Sequence, residues 1–274
     1  MAEALAALFG LLIGSFLNVC IYRWPRDLSV VAPRSHCTAC ERGIAWYDNV
    51  PVLSFLLLRG RCRHCGVSIH WRYPVVELLT GLCFAFFVYH YGLTLIGLKF
   101  CIFAAILIAL GFADADTRIL PDELTIGGAA IGFVLSIYVP VRDSTFHFLA
   151  TILGFNPAPG VASLGEAVLG AFVCAGSLWL AGWLFEKLRH KEGLGFGDVK
   201  MLAMIGAFLG VQASLLTIIL GSLIGAVCGL AWIKLKGEDA ATFQLPFGTF
   251  LAIGAFLVAI EGQGLISWYV NNFL

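Results

Sequence analysis

Residues 201–233 contain no Asp, Glu, Lys or Arg, and that run constrains the fold more than any other part of the chain. As one α-helix it would be about 50 Å long, whereas the hydrocarbon core of a bilayer is about 30 Å thick and takes about 20 apolar residues. The run therefore reads as two spans broken near Gly210-Val211-Gln212. In lipid, backbone polar groups must pair within their own segment, so these spans are helices. Composition extends the conclusion to the whole chain: 60% hydrophobic and 12% charged residues with a mean hydropathy of +0.92, against about 45–50% and about 25% in soluble domains. The expected fold is an all-α polytopic membrane protein whose first partner is the lipid bilayer. A formal net charge of zero gives no reason to expect nucleic acid.

Other apolar segments bring the expected count to about eight transmembrane helices. Residues 1–22 hold one acid, Glu3, and lack the basic start and small-residue cleavage site of a signal peptide, so they read as a retained first span. Residues 74–113 are apolar apart from Glu77 and Lys99 and fit a helical hairpin turning near His90-Tyr91-Gly92. Further spans fall at about 124–139, 164–185 and 245–266. Between two of them, residues 140–162 have the turn chemistry of a loop (Pro140, Asp143, Pro157, Pro159, Gly160) with a short amphipathic piece around 146–155. Eight of the seventeen basic residues lie in the polar insertion 23–73, which the positive-inside rule puts in the cytoplasm, with both termini outside. Lys99 and Arg142 are then the exceptions, and a single span over 201–233 would move Lys234 to the outside. The expected domains are a first transmembrane helix (1–22), a cytoplasmic four-Cys domain (23–73) and a membrane-embedded domain (74–274).

The polar insertion carries Cys37-Thr38-Ala39-Cys40 and Cys62-Arg63-His64-Cys65, two C-x2-C pairs separated by 21 residues. Four thiolates at this spacing suit tetrahedral zinc. A reducing cytoplasm argues against standing disulfides, and no thioredoxin-like βαβ pattern surrounds either pair. His36, His64 and His70 flank the pairs but are not needed as ligands, since four Cys fill the shell. Cys20, Cys83, Cys101, Cys174 and Cys228 lie in or beside apolar runs and read as small packing residues.

Two carboxylates stand at the edges of apolar runs. Asp114 closes the run 100–113, and Asp198, in Gly195-Phe196-Gly197-Asp198-Val199-Lys200, opens the run 201–233. An Asp at the centre of a membrane helix costs about 2.5–3.5 kcal/mol on the insertion scale, so carboxylates kept at such borders are functional candidates. In the expected topology both lie at the cytoplasmic face. Facing carboxylates within a few ångströms cannot both ionise; one keeps its proton, and such a pair can activate water and protonate a scissile carbonyl. Asp116 and Asp122, the latter directly after the helix-start residue Pro121, compete with Asp114 for the first position. On the residues alone, a non-proteolytic zinc-knuckle scaffold or a transporter using these carboxylates for ion movement stays open, although a transporter's carboxylates are expected nearer the midplane. Glu77, Glu123, Glu186 and Glu192 are further acids for attracting a basic ligand or solvating helix ends. Asn18, Arg23 and Glu77 are polar residues near span ends, suited to helix–helix hydrogen bonds or to lining a site.

Gly14-Ser15-Phe16-Leu17-Asn18 through Arg23-Trp24-Pro25, the C-x2-C pairs around Trp46-Tyr47-Asp48-Asn49-Val50-Pro51, and Arg72-Tyr73-Pro74-Val75-Val76-Glu77 resemble the N-terminal half of bacterial type IV prepilin peptidases. The segments from Asp114 to Thr125 and from Gly195 to Lys200 resemble that family's two aspartate motifs, the second being the GxGD signature shared with presenilin-type intramembrane proteases. The resemblance implies that Asp114 and Asp198 are the catalytic pair, with Asp116, Pro121, Asp122, Gly195, Gly197 and Lys200 as motif companions. It implies a multi-pass protein of the bacterial inner membrane that cuts the basic leader from prepilins and type II secretion pseudopilins at the cytoplasmic face. It also implies N-methylation of the new N-terminus with S-adenosylmethionine, in association with the zinc-knuckle region; no Gly-rich Rossmann motif is present. Cys37-Thr38-Ala39-Cys40 departs from the family's frequent Pro after the first Cys, and the loop 140–162 is longer than usual.

Overall fold

The computed structural model describes residues 1–141, 143–189, 195–236 and 245–273; Arg142, Glu192, Glu238 and Asp239, which the sequence places in loops, lie outside them. Ten α-helices account for most of the described chain, and the only β pairing among described residues is two isolated bridges. The chain divides into two compact units, Met1–Ala109 and Leu110–Leu274.

In the first unit, α1 (Ala2–Arg23) packs along α3 (Arg72–Tyr91). The contact is made possible by Gly10 and Gly14, four residues apart on one face: a Cβ on Gly14 would fall 2.6 Å from Glu77 Cα, and one on Gly10 2.8 Å from Gly81 Cα. Lipid offers no hydrophobic drive for two apolar helices to meet, so close backbone packing of this kind is what holds them. Asn18 adds a polar tie, donating from Nδ2 to Tyr73 O at 3.0 Å and to Gly14 O at 3.3 Å. The polar insertion between these helices contains one short helix, α2 (Leu53–Leu57), and two single 3-10 turns. Beyond α3 the chain turns at Gly92, whose φ of +69° is in the left-handed region, and enters α4 (Leu95–Thr117). Phe100 stacks on Phe87 and Tyr91 at centroid distances of 5.5 and 5.1 Å, closing this hairpin. Lys99 is 2% exposed on α4. The boundary between the units falls inside α4.

The second unit is built around α8 (Phe196–Leu209), which touches α5 (Asp122–Tyr138), α7 (Pro159–Arg189), α9 (Val211–Lys236) and α10 (Phe247–Phe273). Met201, Leu202, Met204, Ile205 and Ala207 of α8 are fully buried. By contrast, α7 and α9 expose Phe172, Trp179, Leu223 and Val227, the outward apolar surface a lipid-facing helix needs. α8 ends at Gly210, whose φ is +85°, and α9 begins one residue later; the expected break in the run 201–233 sits there. The short α6 (Thr145–Ile152) occupies the place of the amphipathic piece. Asp143 starts α6 by accepting from Ser144 N and Thr145 N through Oδ1. Its Oδ2 takes the N–H of Gln212 at 3.0 Å, tying the loop to the start of α9.

Each of the eight expected spans corresponds to one helix: α1, α3, α4, α5, α7, α8, α9 and α10. Five of these, α1, α3, α4, α7 and α9, are long and apolar enough to cross a membrane. α5 and α8 are shorter, with 17 and 14 residues, and the apolar part of α10 covers Phe247–Gly262.

Candidate active site and metal centre

The two aspartates and their rivals separate by burial. Asp114, near the end of α4, is 5% exposed and Asp198, in the first turn of α8, is 9% exposed. Asp116 and Asp122 are exposed. Asp122 leads α5 directly after Pro121, which occupies the N-cap position, and pairs with Lys200 of α8. The ammonium also lies 5.5 Å from the Phe196 ring centroid. Lys200 and Asp122 thus tie the two aspartate motifs together from their exposed sides.

Leu120 brings the buried sides together. A Cβ on Gly197 would meet Leu120 Cβ at 3.2 Å, and a Cβ on Gly248 would meet Leu120 Cδ1 at 3.1 Å. Gly197 precedes Asp198, and Gly248 backs onto Asp114, whose Cγ would be 3.1 Å from the added Cβ. Side chains at either glycine would push a carboxylate-bearing segment off Leu120. Asp114 and Asp198 thus sit on segments that share one packing partner, Leu120. A pair of this kind, largely out of water, can divide the roles of base and acid because only one member ionises readily.

One partner of Asp114 was not singled out in the sequence. Thr249, at the start of α10, donates its backbone N–H to Asp114 Oδ2 at 2.7 Å, and its Oγ1 lies 3.0 Å from the same oxygen. The available signal was Pro246-Phe247-Gly248-Thr249, a turn-forming Pro and Gly at the head of an apolar helix. Thr249 lies 135 residues from Asp114, so no local pattern connects them.

The four cysteines expected to hold metal do converge: the sulfurs of Cys37, Cys40, Cys62 and Cys65 all lie within 4.8 Å of one another. Cys37 Sγ and Cys65 Sγ are 3.8 Å apart, close to the edge of a tetrahedron with about 2.3 Å zinc–sulfur bonds. The residues present therefore fit zinc. The two knuckles are built alike. Cys37 N donates to Arg42 O and Cys62 N to Val67 O, both at 2.9 Å, while Glu41 N and Gly66 N return to Cys37 O and Cys62 O. The same repeat spaces the bridges His36–Gly43 and Arg61–Ser68. It also spaces the left-handed residues Glu41 (φ +57°) and Gly66 (φ +72°). Backbone N–H groups of Cys65 and His64 directed at Cys62 hold its thiol down at about 6, while Cys65, despite the backbone N–H of Val67, is pushed up to about 11 with the sulfurs of Cys62, Cys40 and Cys37 beside it. Arg63 braces the second knuckle with a two-bond fork onto Asp48, at 2.7 and 2.6 Å.

The knuckle segment is tied to α3 through Glu77. That carboxylate accepts the N–H of Val52 at 2.7 Å, and Val52 has φ +59°, a strained conformation for a β-branched residue. Of the other acids proposed at the surface, Glu123 and Glu186 are exposed. His36, His64 and His70 do not join the four-Cys cluster. Cys20, Cys83, Cys101 and Cys174 are buried, as packing residues should be, whereas Cys228 is exposed on α9.

Residues 8–91 match the family described as the bacterial Peptidase A24 N-terminal domain, and residues 101–230 match the type IV leader peptidase family. The chain is 36% identical to a prepilin leader peptidase/N-methyltransferase of Aeromonas hydrophila, over 99% of this chain and 94% of that protein. A protein of the same description from Neisseria gonorrhoeae is 34% identical, over 99% and 96% respectively. One from Pseudomonas aeruginosa is 33% identical, over 96% and 92%. No solved structure gives a significant match. With two family matches that together reach from residue 8 to residue 230 and relatives similar along nearly the whole length, the chain belongs to the type IV leader peptidase family.

Proposed function

We propose that this protein is an aspartyl endopeptidase that removes the basic leader from prepilins and type II secretion pseudopilins, and that it then N-methylates the new N-terminal residue. The observation that carries the reading is the contrast in burial: of the acids in the two aspartate motifs, Asp114 and Asp198 are withdrawn from water while Asp116 and Asp122 are exposed. One aspartate, ionised, takes a proton from the attacking water; the other, protonated, donates to the scissile carbonyl oxygen, and the roles reverse as the tetrahedral intermediate collapses. Prepilins, a basic leader followed by an apolar helix, present a cleavage site at a membrane boundary, the level at which the sequence places both aspartates. The reading includes an inner-membrane location with the aspartates and the four-Cys domain on the cytoplasmic side, as the arginines of 23–73 favour.

Cys37, Cys40, Cys62 and Cys65 would hold a structural zinc that braces the 23–73 domain between α1 and α3. S-adenosylmethionine would supply the methyl group. The polar seam of α1 and α3 fits a bound donor: Asn18 is 2% exposed and its Oδ1 has no hydrogen-bond partner, which leaves a buried acceptor available on α1 near Tyr73. In this reading Asn18 orients what binds there, and the buried seam excludes water from it.

The test is leader cleavage by purified, reconstituted protein. Asp114→Asn and Asp198→Asn are each expected to abolish cleavage while the protein still inserts and keeps its zinc; full cleavage by either removes the dyad. Mass spectrometry of the product with S-adenosylmethionine present is expected to find the N-terminus heavier by one methyl group. An unmethylated product would restrict the protein to proteolysis. Replacing all four cysteines with Ser is expected to eliminate bound zinc, and equal zinc in both proteins would retire the metal assignment.

A further inference from the structure

Thr249 has an unusual relation to Asp114. Its Oγ1 is 3.0 Å from Asp114 Oδ2 and also 3.0 Å from Gly111 O, while its backbone N–H is fixed on Oδ2 at 2.7 Å. A hydroxyl carries one proton and two lone pairs, so it can donate to only one of these two oxygens at a time. When Asp114 is ionised, the hydroxyl donates to Oδ2. When Oδ2 carries a proton, the hydroxyl turns to Gly111 O and accepts from Oδ2–H instead. Both arrangements use the same heavy-atom positions; only two protons differ in direction. The backbone N–H stays on Oδ2 in either state.

We propose that Thr249 is a positioning residue that holds the Asp114 carboxyl in one orientation through both of its protonation states, by rotation of its hydroxyl between Asp114 and Gly111. The proposal rests on the aspartyl protease reading, in which a carboxyl that serves as base in one step must serve as acid in the next. A side chain able only to donate would favour the ionised form and resist the second role; one able only to accept would do the reverse. A threonine hydroxyl serves both, and the close seat of Gly248 against Asp114 and Leu120 keeps the Thr249 backbone where both bonds can form. Among the described residues, the charged groups that act here are Arg118, just beyond α4, on Asp114, and Asp114 on Asp198. α10 faces Asp114 with Gly248 and Thr249.

Thr249→Val keeps the backbone N–H and the shape of the side chain but removes the hydroxyl; Thr249→Ser keeps the hydroxyl. The full-length protein is reconstituted with a prepilin bearing a basic leader, and kcat and KM are measured across pH. Val is expected to lower kcat about 10- to 100-fold, the range for loss of a hydrogen bond to a charged group, with KM changed less than about 2-fold. The acid limb of its pH profile is expected to move to higher pH, because a donor to the ionised form is gone. Ser is expected to stay within about 3-fold of the wild type with an unmoved profile. Equal losses in Val and Ser, or a Val variant with wild-type kcat and pH profile, overturn the proposal. Should Val fail to accumulate as folded protein, Thr249→Ala gives the same comparison with Ser. Asp114→Asn is run alongside: if it still cleaves, the protease reading has failed, whereas loss of cleavage there with an unaffected Thr249→Val refutes the positioning role alone.

Discussion

The crossing of α7 and α8 sets where Asp198 stands, and Gly206→Ala tests that crossing. A Cβ on Gly206 would fall 2.4 Å from Gly170 C, 2.5 Å from Gly170 O and 2.6 Å from Ala171 N, all backbone of α7. Gly170 faces it reciprocally, its own added Cβ lying 2.6 Å from Gly206 O. Carbon contacts settle at about 3.5–4.0 Å, and backbone cannot swing aside as a side chain does, so the helices must part by about 1 Å. Overpacking of this kind costs about 1–3 kcal/mol. For a domain the size of the second unit that is a fall in Tm of about 2–12 °C. Because α8 carries Asp198 two turns earlier, a displacement of about 1 Å is expected to lower cleavage about 100-fold. The control is Gly176→Ala on the same α7, where an added Cβ meets nothing within 4 Å and helix propensity improves by about 1 kcal/mol. Thermal unfolding in detergent and prepilin cleavage are measured for both variants. If Gly206→Ala matches Gly176→Ala in both measurements, the close α7–α8 packing does not position the site and the reasoning fails.

Three further outcomes are expected. Gly248→Ala places a Cβ 3.1 Å from both Asp114 Cγ and Leu120 Cδ1; a shift of a few tenths of an ångström should reduce cleavage about 10-fold with Tm nearly unchanged, and undiminished cleavage would show that Asp114 tolerates the crowding. Glu41→Gly relieves a left-handed residue at the position the second knuckle fills with Gly66; a gain of up to about 1–2 kcal/mol should slow zinc transfer to a chelator, and faster transfer would contradict it. Alanine at Lys200 and Asp122, singly and together, should give a coupling in stability of no more than about 1 kcal/mol, since the Asp122 side chain is 56% exposed. These variants should keep most cleavage, unlike substitutions at Asp114 or Asp198; complete loss in Asp122→Ala would move Asp122 into the chemistry.

Much of the architecture was legible because it follows from local chemistry. The uncharged run 201–233 exceeds one bilayer crossing, and the break falls at Gly210, where a φ of +85° asks for a residue without a side chain. The short amphipathic piece expected around 146–155 in the loop 140–162 corresponds to α6. The C-x2-C spacing was enough to expect four sulfurs in one cluster. The likeness of the two knuckles was harder to see, since outside the cysteines it resides in backbone hydrogen bonds rather than in shared side chains.

Sequence alone determined that this is a helical membrane protein with two border carboxylates and a four-Cys cluster, because apolar length, charge placement and cysteine spacing are properties of a segment taken by itself. Only the tertiary structure decided which carboxylates leave water. Asp114, Asp116 and Asp122 are all acids within nine positions, and their difference arises from what packs over them: Leu120, Gly248 and Thr249 close over Asp114, while Asp116 and Asp122 remain exposed. Thr249 reaches Asp114 from α10 across 135 positions, a contact that chain folding creates and no periodicity encodes.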